Sequence, residues 1–284
     1  MKLREALQKA EQYLSEHDIG EARLDAWYLL EHQVRKEDQS PIDRAWYFLH
    51  CEEEMRERDE EAYELLVRKR GAHIPLQHLT GVQEFMGLEF LVNDQVLIPR
   101  QDTEILVEEA MKVLGPGMDV LDLCTGSGCI ILSLAKLVPG IRATASDLSE
   151  EALKVAEQNR ARLGVAVKLQ QGDLWEPIEG RYDLIVSNPP YIPTEDIQGL
   201  MEEVRCHDPI MALDGREDGL HFYRRLAEGA QGYLKPGGWM LLEIGCEQGK
   251  AVLDLLKKAG LRDVSIRKDL SGLDRVVMGR SEEN

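Results

Sequence analysis

The chain is short of positive charge. Its 34 Lys and Arg stand against 52 Asp and Glu, a formal charge of −18. A protein that grips nucleic acid irrespective of sequence needs a basic surface to displace counterions, so direct nucleic-acid binding is not expected. Cysteine is sparse as well: five residues, an odd number, scattered, with no Cys-x-x-Cys pair and no Cys/His ligand spacing. That pattern argues against a disulfide framework or a zinc site and predicts reduced thiols in a cytoplasmic protein. His73 and His78 have no carboxylate or thiol neighbours in sequence, so no metal is expected. No apolar run approaches the roughly 20 residues of a membrane-spanning helix. Met1-Lys2-Leu3-Arg4-Glu5 opens directly on a charged amphipathic pattern, unlike a signal peptide. Internal repeats and low-complexity tracts are missing too.

What is present supports a folded protein. With 43% hydrophobic residues in 284, the chain can bury a sizeable core in one large or two modest domains. Residues 1–72 read as a helical bundle. Leu3, Leu7, Ala10 and Leu14 share one helical face, Leu24, Trp27 and Leu30 continue the style, and Gly20 and Ser40-Pro41 punctuate it. The acidic run Glu52–Glu64 reads as a solvated helix face. This region holds no catalytic constellation; its expected task is to recognise something large.

Residues 73–98 read as a β-hairpin connector. Pro75, Gly81, Gly87 and Pro99 break helices. Glu84–Val92 alternates like a hairpin, and Val96-Leu97-Ile98 reads as a further strand. At Asp102-Thr103-Glu104 a helix is expected to start, with Asp102 or Thr103 near the N-cap. Capping and a surface ion pair account for Arg100 and Asp102; a role at a pocket rim is the alternative.

Residues 99–284 alternate strands with helices, which implies an α/β, doubly wound (Rossmann-like) sheet. Asp119–Leu123 is an apolar strand, Cys124-Thr125-Gly126-Ser127-Gly128 a glycine turn, and Cys129–Leu137 a helix ended by Pro139-Gly140. This is the geometry in which backbone approaches a nucleotide-like ligand. The next strand ends in Asp147, an acid about 20 positions on, placed to hold ribose hydroxyls. Asp173 sits at another strand end, where it would accept from an adenine amine while Leu174 or Trp175 packs the base. The glycine turn has no third glycine at the dinucleotide spacing, and no Gly-Lys-Ser/Thr follows it as in a P-loop. A nucleoside-type cofactor such as S-adenosylmethionine, or a mononucleotide, remains.

Tyr182–Val186 is a buried strand that ends at Ser187-Asn188-Pro189-Pro190-Tyr191. Proline donates no N–H, so the strand tip presents a fixed amide (Asn188), free carbonyl oxygens and an aromatic ring. The set suits gripping a planar NH2 group; a Pro-rich turn is the plain reading. Pro193–Asp214 reads as a long irregular substrate loop. Asp218–Leu234 is helical, Lys235-Pro236-Gly237-Gly238 a turn, and Trp239–Ile244 a buried strand. After the helix Gly249–Ala259, two last strands form a hairpin of the kind that ends a methyltransferase sheet.

Asp122–Gly128, Asp147 and Asn188-Pro189-Pro190-Tyr191 together resemble a class I S-adenosylmethionine-dependent methyltransferase acting on a planar NH2. Leu79-Thr80-Gly81, Glu84-Phe85, Gly87-Leu88 and Leu97-Ile98-Pro99-Arg100-Gln101-Asp102-Thr103-Glu104 narrow the resemblance to the HemK/PrmC family, the release-factor glutamine N5-methyltransferases. Cys124 stands where many members have glycine, and Gln101 where proline is usual. The resemblance implies S-adenosylmethionine as cofactor, held by Cys124–Gly128, Asp147, Asp173, Leu174, Trp175 and Asn188. It implies Asn188, Pro189 and Tyr191 as catalytic residues, and Asn188–Tyr191 with Arg100 as substrate-binding. The implied partner is a class 1 peptide chain release factor, whose Gly-Gly-Gln glutamine is modified; a monomer is expected. A ribosomal-protein glutamine methyltransferase and a DNA adenine N6-methyltransferase share the Asn-Pro-Pro-Tyr motif. The net charge disfavours the second, and Gln101–Glu104 favours the release-factor branch over the first.

Overall fold

The computed structural model describes residues 1–36 and 40–283. The chain divides into two compact units: Met1–Gly81 with Glu202–His207, and the remainder.

The helical unit contains α1 (Leu3–Glu16), α2 (Ala22–Gln33), α3 (Arg44–His50), α4 (Glu57–Gly71) and α5 (Leu76–Thr80). Leu3, Ala6, Ala10 and Leu14 form the buried stripe of α1, the three- and four-residue spacing that one helix face requires. Helix α2 buries Ala22, Ala26, Trp27, Leu29 and Leu30, so its contacts wrap more than one face. Tyr63 of α4 is buried, and its hydroxyl donates to the Ala26 carbonyl (2.9 Å). The expected helix over Glu52–Glu64 begins only at Glu57. Glu57, Asp59 and Glu60 fill its first turn and Arg68, Lys69 and Arg70 its last, which matches charge to the helix dipole.

Arg70 anchors this unit. Its side chain, 7% exposed, pairs with Asp25 (2.6 Å) and with Glu203 on the returning segment Glu202–His207 (2.7 Å). Burial pushes the Asp25 carboxyl up, and Arg70 opposes that. Removing one partner of a buried pair strands the other, at about 3–5 kcal/mol. Arg70→Ala is therefore expected to lower unfolding stability by that amount in urea titration; a loss under about 1 kcal/mol would class the pair with exposed ones.

The second unit opens with β1 (Val82–Phe85) and β2 (Leu88–Leu91), an antiparallel hairpin. Its turn residues Met86 and Gly87 have φ of 53° and 69°, the double positive φ that a tight hairpin wants. The expected strand at Val96–Ile98 does not form. Val96 and Ile98 are buried, but no ladder pairs them; the apolar run reported burial, not pairing. A 3-10 turn, Gln101–Thr103, leads into α6 (Glu104–Val113). Thr103 is the N-cap residue, as expected, but its side chain makes no cap hydrogen bond, and Asp102 pairs with Arg275 (3.1 Å).

Then follow β3 (Asp119–Leu123), α7 (Cys129–Leu137), β4 (Arg142–Asp147), α8 (Glu150–Leu163), β5 (Val167–Gln171) and β6 (Tyr182–Ser187). Next come α9, the Glu202–His207 segment already placed, α10 (Ile210–Leu213), α11 (His221–Tyr233), β7 (Leu234–Glu243), α12 (Gly249–Lys258), β8 (Arg262–Lys268) and β9 (Asp274–Arg280). Seven strands form one sheet in the order β5-β4-β3-β6-β7-β9-β8. The first five are parallel to one another, and β9 runs antiparallel to both of its neighbours, β7 and β8. Alternate residues feed two cores. Val120, Leu184, Val186 and Leu241 pack with Leu106, Val107, Ile131 and Leu134 of α6 and α7. Leu121, Ile185, Met240 and Leu242 pack with Tyr223, Leu226, Val252 and Leu256 of α11 and α12. This is the two-sided burial of a parallel sheet.

Three expectations are corrected. Residues 193–214 are not irregular: a 3-10 turn (Thr194–Gly199), α9 and α10 occupy most of them. Their Pro- and Asp-rich composition marks several short turns. Strand β7 begins at Leu234, because the Pro236-Gly237-Gly238 stretch is absorbed as a bulge between the Tyr182–Leu234 and Leu184–Trp239 pairings. The chain leaves the helical unit at Gly81, where boundaries after residues 72 and 98 were expected. Residues 73–81 carry α5, and Phe85 and Phe90 bury the hairpin in the core of the sheet unit.

Candidate active site

Strands β3, β4 and β6 run side by side, and their carboxyl ends carry the informative residues. The strand order reverses at the β3–β6 pair, the place where open α/β sheets form a ligand crevice. The turn Cys124–Gly128 follows β3. Its Thr125 N–H donates to the Ser146 carbonyl (3.0 Å), and the Thr125 hydroxyl to the buried Asp122 (2.6 Å). Asp147, ending β4, accepts from Gly126 N–H (2.8 Å) and Ser149 N–H (2.9 Å). One carboxylate thus ties the glycine turn to the start of α8. Gly128 is needed for a different reason: its φ is +81°, and a Cβ would lie 2.8 Å from Leu132 Cδ1. Cys124 takes a φ of 60°, which a side chain tolerates only at some cost.

A cleft of about 1130 Å³, open solvent included, lies over these ends. It is lined by Cys124, Thr125, Gly126, Ser127, Asp147, Asp173, Leu174, Asn188, Pro190 and Arg100, all expected, and by Val96, Thr103, Ile130, Ser146, Met211 and Phe222, which were not. The lining suits a nucleoside-type cofactor. Ile130, Leu148, Ala152 and Leu174 give an apolar wall for a base, Asp147 and Asp173 give acceptors, and the buried Ser146 hydroxyl has no partner among the described residues. Those residues would hold S-adenosylmethionine.

Comparison with known proteins agrees with this geometry. Residues 5–81 match the PrmC N-terminal domain and residues 101–204 the methyltransferase small domain. A protein of Geobacter sulfurreducens named release factor glutamine methyltransferase is 41% identical over 279 residues, covering 98% of this chain and 96% of that one. A Moorella thermoacetica protein of the same name is 42% identical over 289 residues, covering 100% of both. The chain belongs to the release factor glutamine methyltransferase family. It is an S-adenosylmethionine-dependent enzyme with the class I sheet. The crystal structure of a Pyrococcus furiosus methyltransferase shares the fold at 21% identity and a TM-score of 0.56, covering 75% of this chain and 98% of that one.

In this methyltransferase, Asn188 lies on the cleft wall and its Nδ2 faces Thr103 Oγ1 at 3.5 Å. Pro190 is buried on the cleft wall beside it, and Pro189 is buried behind the lining. The backbone of Tyr191 is gripped tightly: Gln248 Nε2 donates to its carbonyl (2.9 Å). A Cβ on Gly215 would come within 2.7 Å of the Tyr191 backbone, and one on Gly219 within 2.3 Å of its oxygen. Burial pushes the Tyr191 hydroxyl up to about 12, so it stays neutral and is no base.

Some expected residues lie off the cleft lining. Trp175 stacks on Tyr233 (4.6 Å, 7°) and donates to the Arg225 carbonyl (3.0 Å); its neighbours are core, and Leu174 alone of the two reaches the cleft. Gly128, Pro189 and Tyr191 sit just behind the lining. Arg100 lines the rim but is paired with the buried Asp208 (2.6 Å), and Asp173 pairs with Arg225 (3.0 Å). Thr103 and Glu243 were missed. Both are buried polar residues beside Asn188 in space, on elements remote from it in sequence.

Burial pushes the carboxyl of Asp122 up to about 7, and the nearby Asp147 charge adds to this. Its folded pKa exceeds the unfolded one, so its contribution to stability is present in acid and is lost as pH rises through about 7. The melting temperature of the cofactor-free enzyme is expected to fall between about pH 5 and about pH 8, and less so in Asp122→Asn. Identical pH dependence of the two in calorimetry would refute this.

Proposed function

We propose that this methyltransferase moves the methyl group of S-adenosylmethionine to the side-chain nitrogen (N5) of the glutamine in the Gly-Gly-Gln motif of class 1 peptide release factors. We place it in the cytoplasm as a monomer; no helix among the described residues is long and apolar enough to cross a membrane. The observation that carries the reading is Asn188 on the wall of the same cleft as the glycine turn and Asp147, in a chain 41–42% identical to proteins of that name.

An amide nitrogen is a poor nucleophile, because its lone pair is delocalised into the carbonyl. The bound cofactor supplies an electrophilic methyl group on a sulfonium. Asn188 Oδ1 and the Pro189 carbonyl accept from the two N–H groups of the glutamine and favour a pyramidal nitrogen. Such fixed dipoles stabilise the positive charge that develops there. Tyr191, neutral and held by Gln248, closes the site against water. Positioning supplies much of the rate: the S–CH3 bond breaks as the N–CH3 bond forms, the cofactor departs as the neutral thioether, and the surplus proton leaves the nitrogen to solvent afterwards, so no general base is required before transfer. Residues 1–72 recognise the release factor.

The test is transfer of label from S-adenosylmethionine to purified release factor, ribosomal protein and DNA, offered separately. Label in release factor that vanishes when its Gly-Gly-Gln glutamine is replaced supports the proposal. Label in ribosomal protein or DNA instead overturns the target.

A further inference from the structure

An asparagine amide can face a pocket with its oxygen or with its nitrogen. Only the oxygen accepts an N–H from a substrate, so whatever fixes the Asn188 orientation governs the reaction proposed above, on which this inference rests. Ser187 pairs with Leu242 across β6 and β7. Asn188 and Glu243, one residue further on each strand, are therefore level at the strand ends. Glu243 is 2% exposed. Asn188 Nδ2 donates to Thr103 Oγ1 at 3.5 Å, Glu243 stands beside both, and each helps to keep its carboxyl ionised, while its Oε2 has no partner among the described residues.

Nothing nearby neutralises this carboxylate directly. Arg275 approaches, but its guanidinium is engaged by Asp269 (3.0 Å) and Asp102 (3.1 Å). The Tyr223 hydroxyl is spent on the backbone carbonyl of Glu243 (2.8 Å). Burying a carboxylate without an ion-pair partner is costly, and such groups concentrate at functional sites. An ionised carboxylate only accepts. The Thr103 oxygen accepts from Asn188 Nδ2 (3.5 Å), and the buried Glu243 carboxylate, level with Asn188 on the adjoining strand, can only accept as well. Both neighbours thus draw the NH2 of Asn188 inward.

We infer that Glu243, with Thr103, is the positioning group of the site: it holds the Asn188 NH2 inward and so presents Oδ1 to the glutamine amide. Burial pushes the Glu243 carboxyl up to about 7, the Asp102 charge adds to this, and Thr103, Arg275 and Asn188 oppose it. Tyr191, Tyr223 and Cys129 also face it, and burial keeps all three neutral. Protonated Glu243 becomes a donor and frees the amide to turn. The transfer step is expected to quicken with rising pH through about 7.

The experiment is a double-mutant cycle on single-turnover transfer of label to release factor, using wild type, Glu243→Gln, Asn188→Ala and the double variant. Cofactor affinity is measured by calorimetry alongside. Glu243→Gln is expected to slow transfer about 10- to 100-fold, as a misplaced reacting group does, with cofactor affinity unchanged and the pH dependence near 7 flattened. In the Asn188→Ala background it should cost almost nothing more, because it acts only through Asn188. Equal slowing in both backgrounds, or none in either, overturns the inference. Should Glu243→Gln fail to fold, Thr103→Val takes its place in the same cycle and decides by the same criterion. A wild type that labels no release factor overturns the function reading and this inference with it. An additive cycle in an active enzyme overturns the inference alone.

Discussion

Asn188→Ala is expected to slow methyl transfer about 10²- to 10³-fold, the usual loss when one preorganised polar group at a transition state is removed. Cofactor affinity should change only a few-fold. The asymmetry follows from geometry. Asn188 follows β6, while the glycine turn follows β3 and Asp147 ends β4, and these two are held to each other by the Thr125 N–H to Ser146 carbonyl bond and by the Asp147 carboxylate, neither of which involves Asn188. Its amide contributes chiefly where charge develops, so kcat falls and cofactor binding survives. The strand tip itself should persist. Tyr191 is fixed by Gln248 and by the close passage of Gly215 and Gly219, and Ser187 Oγ donates to the Leu123 carbonyl (2.7 Å). Single-turnover rates with calorimetric cofactor binding check this. An Asn188→Ala enzyme within threefold of wild type would remove Asn188 from the mechanism.

Asp147→Ala should act the other way round, weakening cofactor binding about 100-fold, near 2.8 kcal/mol at 1.4 kcal/mol per decade. Two losses combine. The carboxylate accepts from Gly126 and Ser149 N–H, and each oxygen retains a second lone pair for a ribose hydroxyl. Alanine removes the ribose contacts, and it also releases a turn that contains three residues of positive φ, Cys124, Gly126 and Gly128. Asp147→Asn separates the two losses, since its one oxygen satisfies one N–H and its NH2 repels the other. It should fall between wild type and alanine in calorimetric affinity. If all three bind the cofactor equally, Asp147 takes no part in holding it.

Much of the site was legible because local patterns report local geometry. Cys124–Gly128 between a strand and a helix is a turn in any fold, and Asp147 and Asn188 close their strands because Ser149 begins a helix and Pro189 cannot pair. What was misread had a common cause. Trp175 follows Asp173 and Leu174 at a strand end, yet stacks on Tyr233, and its indole N–H finds a carbonyl on α11. Val96–Ile98 is as apolar as a strand but has no neighbour to pair with. Residues 193–214 carry loop composition, yet fold into three short helical turns. In each case the deciding partner is far off in the chain.

The sequence by itself determined that this is an acidic chain with an α/β sheet in which a glycine turn, Asp147 and Asn188 fall at strand ends. Periodicity, proline and glycine act within a few residues, and those signals need no tertiary knowledge. Tertiary structure alone decided what stands behind the Asn188 amide. Thr103, Asn188 and Glu243 come from three elements and share no spacing, and only the parallel pairing of β6 with β7 makes Asn188 and Glu243 neighbours. A buried carboxylate is invisible as such in sequence, because Glu243 looks like the polar end of an apolar strand until the sheet and the Thr103 turn close over it.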